Sequence, residues 1–294
     1  MSTSRDAVKR LFIGRALASN RLGDTLLSKK IALPVFCSDP ISSVAYATEQ
    51  ILLVLGAAGA ASFLGLAAPI AAAVALLLAV VVASYRQTCF AYPSGGGAYV
   101  VSKENLGRTA SLTAAAALLV DYVMTVAVSV VSGVVAVTSA VPSLAAHAVA
   151  LSVGFVILLA VVNLRGVKES GAAFALPTYA FVLLTFLLLG SGVYRALTSG
   201  IPDAQSAHLQ FVHTAKVGGV FTLLLCLRAF ASGCTALTGV EAISNGVPAF
   251  KKPKSRNAAA TLTIMGALAI SMFSASRRWR SRHMPAPTPT VTRP

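Results

Sequence analysis

Polar residues interrupt an apolar run near the N-terminus, where residues 36–49 are Phe36-Cys-Ser-Asp-Pro-Ile-Ser-Ser-Val-Ala-Tyr-Ala-Thr-Glu49. The whole run, from about Ile31 to Leu55, is long enough to cross a bilayer, which takes about 20 residues. Pro40 has no N–H to donate to Phe36 and its ring crowds that turn, so the sequence predicts a broken helix. A carboxylate at membrane depth, here Asp39, costs at least about 2.5 kcal/mol and usually marks an ion or substrate path. We therefore predict a binding site at the break.

The composition is that of a polytopic membrane protein. Of the 294 residues, 56% are hydrophobic and 11% are charged, whereas soluble domains carry about 25% charged residues. The formal net charge is +15, but the basic residues cluster at the ends of apolar runs and form no stripe with aromatic residues, which argues against nucleic acid binding. We expect no enzyme activity, no cofactor and no metal apart from a transported monovalent cation. The four cysteines show no metal-ligand spacing and are expected to be buried (Cys37, Cys89, Cys226 and Cys234).

Seven apolar runs are predicted to span the membrane, at about 31–57, 63–85, 111–140, 147–164, 173–194, 217–246 and 258–275. Loop charges predict the orientation. The N-terminal arm and the alternate loops at 86–110, 165–172 and 247–257 carry 16 Lys and Arg residues, whereas the opposite loops carry two. Because Lys and Arg are enriched on the cytoplasmic side, we predict a multi-pass protein of the cell (inner) membrane with a cytoplasmic N-terminus.

Acidic residues give the clearest chemical signal. Four lie within predicted spans (Asp39, Glu49, Asp121 and Glu241), and Arg228 is the basic residue placed at depth. This surplus of carboxyl groups favours a cation or protons over an anion.

In the third span, Asp121, Thr125 and Ser129 are four residues apart and share one helix face, with Tyr122 beside it. Their oxygens suit an alkali or organic cation, although both hydroxyls could instead bond to their own helix backbone.

The sixth span has a small, polar middle like that of the first. It contains Phe230-Ala-Ser-Gly-Cys-Thr-Ala-Leu-Thr-Gly-Val-Glu-Ala-Ile-Ser-Asn245. Two interrupted spans at corresponding positions indicate an inverted-repeat transporter, although small residues also serve helix packing.

The loop Tyr92-Pro-Ser-Gly-Gly-Gly-Ala-Tyr99 lacks the spacing of a phosphate-binding loop, so we predict a gate there. The predicted gate or hinge residues are Pro40, Gly95, Gly96, Gly97, Gly233 and Gly239.

These segments resemble the amino acid–polyamine–organocation permease superfamily, and are most similar to its KUP-type potassium importers. The similarity covers about residues 25–275 and rests on Ser38-Asp-Pro-Ile-Ser-Ser-Val-Ala-Tyr-Ala-Thr-Glu49, Pro93-Ser-Gly-Gly-Gly-Ala-Tyr99 and Ala231-Ser-Gly-Cys-Thr-Ala-Leu-Thr-Gly-Val-Glu-Ala-Ile-Ser-Asn245. It implies an all-α, LeuT-type inverted-repeat transporter with broken first and sixth helices that imports potassium with protons. The alternative is an amino acid or polyamine permease. Amino acid permeases of the superfamily have a glycine-rich first break, which this chain lacks.

The resemblance also implies a set of site residues. Potassium would bind Asp39, Tyr46, Asp121, Tyr122, Thr125, Ser129 and Thr238, to which we add Ser43 as a hydroxyl at the predicted break. Glu241 matches the acid tied to proton coupling. The expected partners are the lipid bilayer, the transported solute and protons, and a homodimer is left open.

We expect four parts along the chain. A basic cytoplasmic arm at 1–30 precedes a first five-helix repeat at 31–194, a partial second repeat of two helices at 195–275, and a basic Pro/Thr-rich tail at 276–294 that is disordered or non-native. Because a second repeat of two helices would be incomplete, a non-functional fragment or a membrane scaffold is a further alternative.

Overall fold

The computed structural model describes residues 26–57, 61–164, 167–198 and 219–281. These residues form helices and turns, with one isolated β-bridge between Leu27 and Phe250. The α-helices are α1 (Lys29–Ala57), α2 (Ala61–Leu64), α3 (Ala67–Ala91), α4 (Gly97–Asn105), α5 (Arg108–Ala140), α6 (Ala148–Leu164), α7 (Val167–Thr198), α8 (Gly219–Gly233), α9 (Ala242–Asn245) and α10 (Lys254–Ser281). Short 3₁₀ helices cover Pro142–His147, Cys234–Leu237 and Val247–Ala249.

Seven helical segments in the described ranges are long and apolar enough to cross a membrane. They are Lys29–Ala57, Ala67–Ala91, Arg108–Ala140, Pro142–Leu164, Gly171–Arg195, Gly219–Asn245 and Lys254–Ser274. They match the seven predicted spans and confirm an all-α membrane architecture. α3 continues to Ala91, so the loop predicted from residue 86 begins as helix. α10 extends to Ser281, beyond the predicted end of the last span, whereas the arm at 1–25 and the tail at 282–294 lie outside the described residues.

The first span is an unbroken helix, so the predicted break at Pro40 is wrong. α1 is helical from Lys29 to Ala57 and includes Pro40. A proline removes one backbone hydrogen bond, and in membrane helices hydroxyl side chains can bond to the backbone groups around it. Near the proline, Ser42 Oγ donates to the carbonyl oxygen of Asp39 at 2.9 Å, which is not the carbonyl that lacks a donor because of Pro40; that one belongs to Phe36. The loss of one bond does not end the helix, which continues through the polar segment.

The predicted break of the sixth span is confirmed. α8 ends at Gly233, and a 3₁₀ turn covers Cys234–Leu237. Thr238 is extended (φ −61°, ψ 135°), and Gly239 has φ +80°, a conformation that glycine adopts without strain. The chain becomes helical again at Ala242. The polar residues of this span therefore lie on a non-helical segment.

The chain divides into two compact units. Among the described residues, unit one consists of residues 26–36, 87–164, 167–178 and 241–261, and unit two of residues 37–57, 61–86, 179–198, 219–240 and 262–281. In the described part of unit one, Phe36 stacks on Phe250 with ring centroids 5.5 Å apart. In the described part of unit two, Phe63 is fully buried, and its ring centroid lies 6.1 Å from that of Phe221.

Large apolar side chains cover the outside of α5, α6 and α7. Leu119, Val149 and Leu176 are 68%, 78% and 79% exposed. Because hydrocarbon is as apolar as these side chains, such surfaces are compatible with contact with lipid.

Candidate functional site

Three oxygen-bearing side chains of α1 form a hydrogen-bonded chain within unit two, which we call the first-span cluster (Asp39, Ser43 and Tyr46). Ser43 Oγ lies 3.2 Å from Asp39 Oδ1 and 2.8 Å from Tyr46 Oη. Serine has one proton to donate, so when Ser43 donates to the carboxylate it accepts from the phenol. Ser43 is fully buried, and the other two are half-buried. The cluster thus presents one carboxylate and two neutral oxygens.

The helical repeat explains how an unbroken helix assembles this cluster. Residues at i, i+4 and i+7 lie on one face of an α-helix, which is the spacing of Asp39, Ser43 and Tyr46. The three predicted ligands of the first span therefore come together without the predicted break.

The non-helical segment of the sixth span contacts the same cluster in unit two. A Cβ atom on Gly239 would overlap Asp39 Oδ2 and lie 3.0 Å from Pro40 Cδ. The backbone of Gly239 therefore lies against the Asp39 carboxylate, and a side chain has no room there. Thr238, another predicted ligand, immediately precedes this glycine and is half-buried.

The predicted third-span residues lie in unit one, on the more covered face of α5. Asp121, Thr125 and Ser129 are half-buried, whereas the side chains between them are exposed (Tyr122, Val123, Met124, Val126, Ala127 and Val128). The predicted common face is therefore present in the helix. Tyr122 is 42% exposed, and its Oη accepts a hydrogen bond from Asn245 Nδ2 at 2.7 Å.

The four predicted interior acids differ in burial. Glu241 is buried, with 8% of its surface exposed, whereas Asp39 and Asp121 are half-buried. Glu49 and the basic residue Arg228 are exposed, so the protein itself does not enclose them. Of the four acids that were expected to be enclosed, the protein therefore covers three, which are Asp39, Asp121 and Glu241. The sequence could not distinguish the covered acids from the exposed one, because an apolar run identifies a span but does not show which face of its helix the protein covers.

The three glycines of the predicted gate pack against the segment after the sixth-span break, within unit one. Gly95, Gly96 and Gly97 have φ of 78°, 91° and 42°. A Cβ on Gly95 would lie 2.6 Å from both the Asn245 carbonyl oxygen and Pro248 Cδ. The turn is therefore closely packed.

Gly233, which was also predicted as a hinge, lies in unit two. A Cβ added to it would lie 2.7 Å from Ile51 Cδ1. The gate and hinge roles of these glycines stay predictions.

Asn245 has contacts that the sequence analysis did not anticipate. Its side chain bonds to Tyr122, and its carbonyl oxygen accepts from the Gly96 amide at 3.4 Å. The sequence pattern carried no signal for these contacts, because both partners are distant along the chain.

A family model described as amino acid permease matches residues 31–275, which include every predicted site residue. The chain belongs to the amino acid permease family. This membership confirms the superfamily resemblance found in the three motifs. With its seven long apolar helices, this permease family member is a multi-pass membrane protein.

The potassium transporter KimA of Bacillus subtilis (strain 168) is 46% identical to this permease over 286 residues. The alignment covers 97% of the permease chain and 46% of KimA, so the chain spans a little under half the length of that relative. The similarity agrees with the expected likeness to potassium importers.

Proposed function

We propose that this permease family member acts in secondary active transport of a monovalent cation, potassium first, together with protons. The similarity to a protein named as a potassium transporter supports this substrate. The loop charges support insertion in the cell membrane with a cytoplasmic N-terminus. The observation that carries the proposal is the first-span cluster.

The cluster has the chemistry that a desolvated monovalent cation requires. Potassium prefers oxygen ligands, and here a carboxylate compensates its charge while a hydroxyl and a phenol add neutral oxygens. A carboxylate about 4 Å from a monovalent cation attracts it by about 4 kcal/mol at an effective dielectric constant of 20. The Gly239 backbone covers the second carboxylate oxygen of Asp39. The cluster is therefore partly shielded from solvent.

The remaining predicted residues keep their proposed roles within each unit. Thr238 offers a further hydroxyl in unit two, and the predicted cation ligands of unit one are Asp121, Tyr122, Thr125 and Ser129. Glu241 is the proposed proton-coupling residue, because buried carboxyl groups in membrane proteins typically belong to ion or proton paths.

An amino acid or polyamine is the second candidate substrate, because the matching family model is that of amino acid permeases. A zwitterion needs donors for its carboxylate. An unbroken α1 keeps its amides in its own hydrogen bonds, so such donors would have to come from the sixth-span segment at 234–241 or from Arg228. The carboxylate of the first-span cluster favours a cation over a zwitterionic amino acid.

Uptake measurements separate the candidates. The chain is expressed in a bacterium that lacks its own potassium uptake systems, and growth on low potassium is compared with uptake of labelled amino acids. We also expect calorimetry to detect potassium binding to the purified chain in lipid nanodiscs. Amino acid uptake in cells, with neither potassium flux nor potassium binding, would overturn the proposal in favour of the second candidate.

A further inference from the structure

Backbone hydrogen bonds in unit one join the segment before the first span to the segment before the seventh. Leu27 N donates to the Ala249 carbonyl oxygen at 2.8 Å, and Lys251 N donates to the Leu27 carbonyl oxygen at 3.1 Å. Phe250, which pairs with Leu27 in this β-bridge, is fully buried and stacks on Phe36. The two segments are therefore held side by side.

The joined segments carry a set of basic side chains, which we call the basic cluster (Lys29, Lys251, Lys252, Lys254 and Arg256). Lys254 is half-buried and the other four are exposed. Residues 26–36 and 247–261 contain no aspartate or glutamate. Lys29 begins α1 and Lys254 begins α10, and a membrane span starts at each of them. The basic cluster therefore lies where two spans enter the membrane, at the level of the lipid headgroups.

Helix stability does not explain these positions. Lys29, Lys254 and Arg256 lie in the first turns of α1 and α10, and neither first turn contains an acidic residue. A cation there is unfavourable, because the N-terminus of a helix carries a partial positive charge. The preference of Lys and Arg for one side of a membrane accounts for their presence, but it does not require the two segments to be joined. An anion bound at the basic cluster would compensate the charges of both segments.

We propose that the basic cluster binds the headgroup of an anionic phospholipid such as phosphatidylglycerol. Groups of about four to eight Lys and Arg residues next to a membrane span are typical of sites for acidic lipids. The guanidinium of Arg256 can donate two parallel hydrogen bonds to a phosphate, and the lysines add point charges. Because the surface lies at headgroup level, a lipid reaches it without leaving the bilayer. The proposal does not depend on which solute the chain transports.

The test is a titration of the full purified chain, held in phosphatidylcholine nanodiscs, with short-chain phosphatidylglycerol, followed by calorimetry. Lys29→Gln and Lys251→Gln each remove one exposed charge, one from each joined segment. Each variant is expected to weaken binding about fivefold, because a basic residue near the membrane surface contributes about that factor. Binding to the parent should also weaken at high salt, since exposed charges are screened.

Two exposed cations of unit one outside the basic cluster supply matched controls. Arg108 also begins a membrane span, and Lys103 lies beside the exposed acid Glu104. Arg108→Gln and Lys103→Gln change the net charge by the same amount, and their affinity for phosphatidylglycerol should stay within about twofold of the parent. Inorganic phosphate is titrated as a second probe. It is expected to bind at least about tenfold more weakly, because it has no acyl chains to bury in the bilayer.

The outcomes separate this surface from simpler explanations. If all four variants weaken binding equally, the overall charge attracts the lipid and the proposal is overturned. If only one of Lys29→Gln and Lys251→Gln weakens binding, the joined segments do not form one surface, which also contradicts it. Inorganic phosphate that binds as tightly as phosphatidylglycerol would make a soluble anion the ligand instead of a lipid. A parent chain that does not prefer short-chain phosphatidylglycerol to short-chain phosphatidylcholine overturns the proposal outright.

Discussion

Gly239 lies with its backbone against the carboxylate of Asp39, so that the non-helical segment of the sixth span meets the polar face of the first within unit two. The two segments were recognised separately by their polar residues. Their contact explains why a glycine with positive φ stands next to Thr238. A side chain here would occupy the space beside Asp39.

Gly239→Ala should lower potassium affinity at least about tenfold, because the methyl group displaces the carboxylate and the positive φ adds roughly 1–2 kcal/mol of strain. Gly219→Ala is the control, since Gly219 has φ +73° and no atom of the described residues lies within 4 Å of an added Cβ. Potassium titration of both variants separates backbone strain from the contact with Asp39. Equal affinities in the two variants would contradict the importance of this contact.

Asp39→Asn should abolish potassium binding while leaving the amount of folded protein near normal, because it removes the compensating charge but keeps the size of the side chain. Glu49→Gln is the matched control on the same helix, since Glu49 is exposed and should be dispensable. Binding and detergent-solubilised yield are measured together. If Asp39 served a buried ion pair instead, its loss would cost roughly 3–5 kcal/mol of stability and the folded protein would disappear.

Ser43→Ala should weaken potassium binding about tenfold, because hydrogen bonds to charged groups contribute about 1.5–3 kcal/mol and Ser43 links the carboxylate to the phenol. Ser42→Ala removes a neighbouring hydroxyl that bonds to the backbone of Asp39 instead. Its affinity should remain within about twofold of the parent. If both serine variants bind potassium equally, the result contradicts a role of the first-span cluster in potassium binding.

Glu241→Gln should flatten the dependence of potassium uptake on external pH more than it changes potassium affinity, because the amide cannot exchange a proton. Uptake is measured from pH 5.5 to pH 8 in the uptake-deficient host, with Glu104→Gln as the control at an exposed acid of α4. An unchanged pH profile in Glu241→Gln would remove this residue from the coupling role.

Much of the fold followed from the sequence, because bilayer thickness requires long apolar runs and all seven appeared as helices. The sixth-span break was also predictable, since glycines and threonines accumulate there. The first-span break was predicted wrongly, because the one hydrogen bond that Pro40 cannot make leaves the other bonds of a 29-residue helix in place. Asp39 was predicted as a carboxylate at membrane depth, Tyr46 from the family resemblance and Ser43 as a hydroxyl near them, and their role as cation ligands stays a prediction. Asn245 was missed because its side-chain partner is Tyr122, and periodicity does not reveal contacts between distant residues.

If the chain transports potassium as proposed, the unbroken course of α1 bears on the mechanism. Asp39, Ser43 and Tyr46 lie within eight residues of one helix, so their mutual geometry is a property of secondary structure. When the surrounding helices rearrange, the three oxygens would travel as one rigid element. Alternating access would then open and close the routes to these ligands without dismantling them, and the intrinsic affinity of the cluster would be similar on both sides of the membrane. The direction of net flux would accordingly be set by the ion gradients.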